Sequence, residues 1–108
     1  MKALTKIRKG FKPKVIKIEI SDDGFSVLII DTKSGFEAWL DAWVENNDIL
    51  VEWNQHIFCT DDENDMFAQE MQNDEYINDI STSTVINYLE HNNKIIQDKN
   101  GNWSYPII

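Results

Sequence analysis

The chain is poor in cysteine: Cys59 stands alone among 108 residues. A lone cysteine forms no internal disulfide, which excludes the stapled framework of small secreted domains. Long apolar runs are missing too. No stretch approaches the roughly 18 apolar residues that a membrane-spanning helix needs. The basic start, MKALTKIRKG, has no apolar run behind it, so no signal peptide is expected. These absences point to a soluble protein of a reducing, cytoplasmic compartment. Basic residues are missing from most of the chain. Beyond Lys17 only Lys33, Lys94 and Lys99 remain, and all 19 acidic residues lie in that same stretch.

What is present is a divided charge map. Residues 1–17 hold Lys2, Lys6, Arg8, Lys9, Lys12, Lys14 and Lys17 and no acid, yet the whole chain carries a net charge of −9. An acidic body repels nucleic-acid phosphates and attracts basic surfaces. The basic arm either folds back on that body or reaches a separate acidic partner. The length is that of one domain. Hydrophobic residues make up 42% and aromatic residues 11%, enough to exclude wholesale disorder. Residues 1–13, with Gly10 and Pro13 and no clear period, read as a mobile arm. Residues 14–108 read as a single α+β domain.

Within that domain, residues 14–31 have the pattern of a β-hairpin. Ile16, Ile18 and Ile20 alternate with Lys17 and Glu19, Asp23-Gly24 supplies a type I′ turn, and Phe25 to Ile30 returns as an apolar strand. Residues 34–47 predict a helix. Phe36, Trp39, Leu40, Trp43 and Val44 fall on one stripe at helical spacing, which makes them core residues, with Ser34 as N-cap and Asn46-Asn47 as the stop. Residues 49–59 predict a strand in which Ile49, Val51 and Trp53 alternate with Leu50, Glu52 and Asn54. Thr60 and Glu63 have the capping-box spacing and open a second helix through Met66, Phe67 and Met71. Ser81–Ser83 give another helix start, before Val85, Ile86 and Leu89 on one face, with Tyr76, Ile77 and Ile80 also helical. A C-terminal hairpin joins Ile95-Ile96 to Trp103-Ser104-Tyr105 through a two-residue turn at Asn100-Gly101.

No constellation of catalytic groups emerges. His56 and Cys59 are three apart in a strand and so point to opposite faces. Cys59, His56 and His91 lack the paired spacings of a zinc site. Asp61, Asp62, Glu63 and Asp65 fit helix-capping chemistry better than a calcium loop, and the run Asp98 to Asn102 lacks a closing glutamate. The expectation is a binding protein, not an enzyme, with no metal and no cofactor.

The carboxylates carry the functional reading. On the predicted helix, Glu37, Asp41 and Glu45 recur every four residues and Asp48 projects the same way, opposite the Trp stripe, with no Lys or Arg between them. Side chains so placed stand about 6 Å apart and repel each other, and that spacing is close to the phosphate repeat of a nucleic-acid strand. The leading expectation is a small acidic inhibitor that blocks a basic protein such as a nuclease or other nucleic-acid-handling factor. In size and charge it is similar to bacterial immunity proteins and phage anti-defence proteins. The partner-binding residues would be Glu37, Asp41, Glu45 and Asp48, with Asp61, Asp62, Glu63 and Asp65 as a second patch. The alternative rests on element order. Helix, strand, helix, helix and hairpin over residues 34–107 resemble a winged helix, with residues 83–90 as recognition helix. That resemblance implies a nucleic-acid-binding or regulatory domain, aided by the arm residues Lys6, Arg8, Lys9, Lys12 and Lys14.

Overall fold

The computed structural model describes residues 10–33, 35–54 and 73–106. Its centre is a four-stranded antiparallel sheet in the order β1-β2-β3-β4. β1 (Pro13–Ser21) and β2 (Gly24–Asp31) form the expected hairpin. Its link is not the expected Asp23-Gly24 turn. Ser21 pairs with Gly24, so Asp22 and Asp23 are the linking residues, and neither takes the positive φ that a type I′ turn requires. Gly24 instead opens β2 with φ 143°, where a Cβ would run into the Ala42 carbonyl and the Trp43 side chain. A bulge at Ile16 shifts the register of β1 between Val15 and Lys17.

The principal correction concerns residues 34–47. The expected Trp-rich helix is a strand, β3 (Glu37–Glu45), paired with β2 on one side and β4 (Asp48–Trp53) on the other. Two local features decide it. Gly35 takes φ 81° in the loop that leads from β2, where Asp31 N–H donates to the Phe36 carbonyl at 2.7 Å and closes the connection. At the other end Asn46 and Asn47 take φ 53° and 68°. These are the paired left-handed residues of a type I′ hairpin turn, and Asn accepts that conformation more readily than most residues. The same Asn pair that reads as a helix stop is therefore a strand reversal. With the helix gone, the winged-helix order loses its first element. Ser34 and the capping-box helix from Thr60 lie outside the described residues.

The second half holds α1 (Glu75–His91), which starts earlier than the Ser81–Ser83 signal suggested. Asp74 is the N-cap, its carboxylate accepting from Ile77 N–H at 3.0 Å, and Glu75 adds favourable charge to the first turn. Ile77, Ser81, Val85 and Leu89 recur every four residues and are fully buried. The helix stops at Asn92 and Asn93, where Asn93 turns left-handed at φ 60° and Lys94 N–H reaches back to the Leu89 carbonyl at 2.8 Å. β5 (Ile96–Gln97) and β6 (Trp103–Ser104) form the expected final hairpin. Its link runs over residues 98–102 and is not a two-residue turn, because the Asp98 carboxylate accepts from Asn100 N–H at 2.8 Å and from Asn102 N–H at 3.0 Å.

The core lies between one face of the sheet and α1. Phe25, Val27, Ile29, Ala38, Leu40, Ala42 and Trp53 supply the sheet side, and Ile95 and Phe11 belong to the same buried cluster. Packing thus reaches back to Phe11. Asp31, almost fully buried, accepts from Lys12 N–H at 2.9 Å and from Lys33 N–H at 3.3 Å, fastening the start of β1 to the β2–β3 loop. Trp53 Nε1–H donates to Asn78 Oδ1 at 3.0 Å and joins β4 to α1. The Tyr105 hydroxyl accepts from Val44 N–H at 2.9 Å, and its ring packs at 5.9 Å on Phe25.

Candidate functional site

Alternation along a strand sends successive side chains to opposite faces. In β3, Ala38, Leu40 and Ala42 are buried, so Glu37, Trp39, Asp41, Trp43 and Glu45 occupy the other face. The register extends that face across the sheet. Leu28 lies beside Trp39, Ser26 and Glu52 flank Asp41, Leu50 lies beside Trp43, and Asp48 stands opposite Glu45. β1 contributes Lys17 and Glu19, opposite Leu28 and Ser26. Among the described residues no element packs over this face, since α1 and the Tyr105 segment lie against the core side. Trp39, Trp43, Leu28 and Leu50 are consequently half-buried rather than core. This is a correction to the expected apolar stripe: of Phe36, Trp39, Leu40, Trp43 and Val44, only Leu40 is fully enclosed.

The electrostatics of the face divide along the sheet. At the β1 edge, Lys17 Nζ lies 5.8 Å from the Trp39 ring centroid and 3.4 Å from a Glu19 carboxylate oxygen. At the β3–β4 side, Asp41 pairs in register with Glu52, and Glu45 with Asp48. Directly opposed side chains on antiparallel strands have Cβ atoms about 5 Å apart, and like charges so placed are destabilising. Among the described residues no Lys or Arg forms an ion pair with these four carboxylates, the ion pair in the sheet being Lys17–Glu19. Asp41 is oriented by neutral groups instead. Its Oδ1 accepts from the Ser26 hydroxyl at 3.0 Å and from Asn54 Nδ2–H at 3.5 Å. Asp48 Oδ1 accepts from Ile49 N–H at 2.9 Å, a local turn contact.

The four carboxylates singled out in the sequence do share one face, on a strand and not on a helix. Along β3 the step from Glu37 to Asp41 to Glu45 is about 13 Å, at roughly 3.3 Å per residue. The spacing argument for mimicry of a phosphate chain goes with the helix; the close acidic neighbours are the cross-strand ones. Glu52 was missed as a site residue, and its alternation with Val51 and Trp53 was the signal that could have found it. Trp39 and Trp43 were assigned to the core for want of the right period. Lys12 and Lys14 are exposed around the start of β1. Asp61, Asp62, Glu63, Asp65, Lys6, Arg8, Lys9, His56 and Cys59 lie outside the described residues. His91 is exposed at the end of α1.

Among the described residues no three His, Cys, Asp or Glu side chains gather closely enough to hold a metal ion, and no helix is long and apolar enough to cross a membrane. The Asp98 carboxyl is held below its ordinary value of 3.8, chiefly by the N–H of Asn102 and then of Asn100. It orders a turn and belongs to no cluster. The chain matches no protein-family model, no curated protein and no solved structure.

Proposed function

We infer that the protein is a binding protein and not an enzyme: a small acidic inhibitor, of the immunity or anti-defence kind, that blocks a basic nucleic-acid-handling protein. The reading rests chiefly on one observation. A sheet face that no described element covers presents two half-buried tryptophans among the opposed carboxylate pairs Asp41/Glu52 and Glu45/Asp48. Tryptophan is enriched where protein interfaces concentrate their binding energy. Acidic pairs that have no cation partner among the described residues gain charge-assisted bonds when a partner brings Lys or Arg, and they speed encounter by steering. The net charge of −9 acts in the same direction at longer range. A direct nucleic-acid-binding role is disfavoured, because this face would repel phosphates.

The test is capture from bacterial lysate by the native chain and by a variant carrying Glu37→Gln, Asp41→Asn, Glu45→Gln and Asp48→Asn. The expected result is a basic protein retained by the native chain and lost by the variant. Retention should fall steeply as salt rises, since screening shortens to about 10 Å at 0.1 M. The captured protein should cleave or bind nucleic acid less well when the native chain is added. Equal retention by both chains, or a captured protein whose activity is unaffected, would refute the reading.

A further inference from the structure

The same face contains a hollow of about 530 Å³ at the end nearest the β1–β2 turn, bounded by Asp23, Ser26, Asp41, Trp43, Glu52 and Asn54. We propose that this hollow is a receptor for one arginine side chain of the partner, its guanidinium lying against Trp43 and held by Asp41 and Glu52. The proposal rests on the binding face inferred above and names the group that the face reads.

Charge selects a cation. Asp23, Asp41 and Glu52 border the hollow, and among the described residues no Lys or Arg does. Geometry then selects among cations. Asp41 and Glu52 stand opposite each other on β3 and β4, with Cβ atoms about 5 Å apart, so two separate acceptors face one space. A compact metal ion needs ligands converging on a point, and among the described residues no three such side chains converge. A guanidinium is broad, flat and delocalised, with donors along several edges. It can meet two carboxylates at once while its face rests on an indole. An ammonium is a compact, strongly hydrated point charge; the Lys17 ammonium meets one indole and one carboxylate, whereas the guanidinium's planar fork offers paired donors to a second carboxylate as well.

The wall is prepared for such a group. The Ser26 and Asn54 bonds both engage Oδ1 of Asp41, orienting the carboxylate, while among the described residues Oδ2 is left to accept a further donor. The sheet already contains one instance of the chemistry, with the Lys17 ammonium 5.8 Å from the Trp39 centroid. Trp43 lies four residues along the same strand and the same face. Among the described residues it has no cation over it, and it borders the hollow together with Asp41 and Glu52.

The test is an NMR titration of the intact chain with three blocked tripeptides, acetyl-Gly-Arg-Gly-amide and its lysine and citrulline counterparts. The arginine peptide is expected to move the Trp43 indole N–H and the Ser26 and Asn54 amide signals. It should bind about threefold more tightly than the lysine peptide, the margin of an exposed cation–indole contact. The neutral citrulline peptide should not saturate. Glu52→Gln, an exposed change, should weaken the arginine peptide about fivefold through loss of a charge-assisted bond. Trp43→Leu should erase the preference for arginine over lysine. If arginine and lysine peptides bind equally, with shifts spread over Glu37, Glu45 and Asp48, the arginine receptor is refuted and the binding face survives. If neither peptide perturbs the face, both fall.

Discussion

Ser81 offers a prediction whose size follows from the structure. Its hydroxyl is fully buried on the core side of α1 and has no hydrogen-bond partner among the described residues. Nearby, the Thr84 hydroxyl donates to the Ile80 carbonyl at 2.8 Å, the usual resort of a helical hydroxyl. A buried polar group without a partner costs about 1–3 kcal/mol. Replacing Ser81 with Ala removes that cost. It also gains up to about 0.5 kcal/mol of helix propensity. The change leaves a void on the order of 10 Å³, worth about 0.2 kcal/mol against it. The net expectation is stabilisation of at least about 1 kcal/mol, which raises Tm by about 4–8 °C in a domain of this size. Ser83, exposed on the same helix, is the control: Ser83→Ala changes propensity alone. Thermal and urea unfolding followed by circular dichroism would compare the two, with an unchanged urea slope showing that stability, not the unfolded state, has moved. A Ser81→Ala variant no more stable than Ser83→Ala would refute the reasoning and would mean that the hydroxyl is satisfied in solution.

Two further perturbations follow from the fold. Leu40→Ala should cost about 2–5 kcal/mol, because Leu40 is fully enclosed. Trp43→Leu, on the opposite face of the same strand, should cost less than about 1 kcal/mol. The urea midpoints of the two variants check this, and similar losses for both would contradict the strand assignment. Asp98 should make stability sensitive to acid. Its carboxyl is held below 3.8 by the Asn102 and Asn100 N–H groups. The contribution is therefore complete above that ordinary value and is lost as pH falls below it through the folded value. Asp98→Asn should flatten the pH dependence of Tm below about pH 4.

The sequence carried some elements plainly and disguised others. The β1–β2 hairpin was legible because Ile18 and Ile20 alternate with charged residues and a turn sequence follows. The helix was legible through Ile77, Val85 and Leu89, although Ser81, a polar residue in the buried row, drew its expected start too far forward. β3 was misread for a definite reason. In EAWLDAWVE, apolar residues occupy six of nine positions, so a helical stripe and a strand alternation both fit. The large side chains Trp39 and Trp43 weighted the helical period, while the residues actually enclosed beside Leu40 are the small Ala38 and Ala42. What settles the period is pairing. The apolar β2 needs a neighbour on each side, and Asn46-Asn47 reverses the chain tightly enough to bring β4 alongside. Long-range pairing of this kind leaves little trace within a short window. The acidic face was found by a wrong route, since residues four apart share a face in a strand as well as on a helix. Glu52 could enter the site only once β4 was placed in register with β3.

On the function proposed above, the opposed carboxylates are kept for a partner's cations at some loss of intrinsic stability. Urea unfolding of the native chain and of the double variant Glu45→Gln, Glu52→Gln, each alone and with the captured basic protein, tests this most directly. Each change neutralises one member of a like-charged cross-strand pair, Glu45/Asp48 or Asp41/Glu52. Alone, the variant should be more stable by a few tenths of a kcal/mol per pair, the modest worth of exposed charges. With the partner present the order should reverse, because the native chain binds more tightly and binding stabilises the folded state. A variant that is less stable alone, and gains as much from the partner as the native chain does, would contradict the claim.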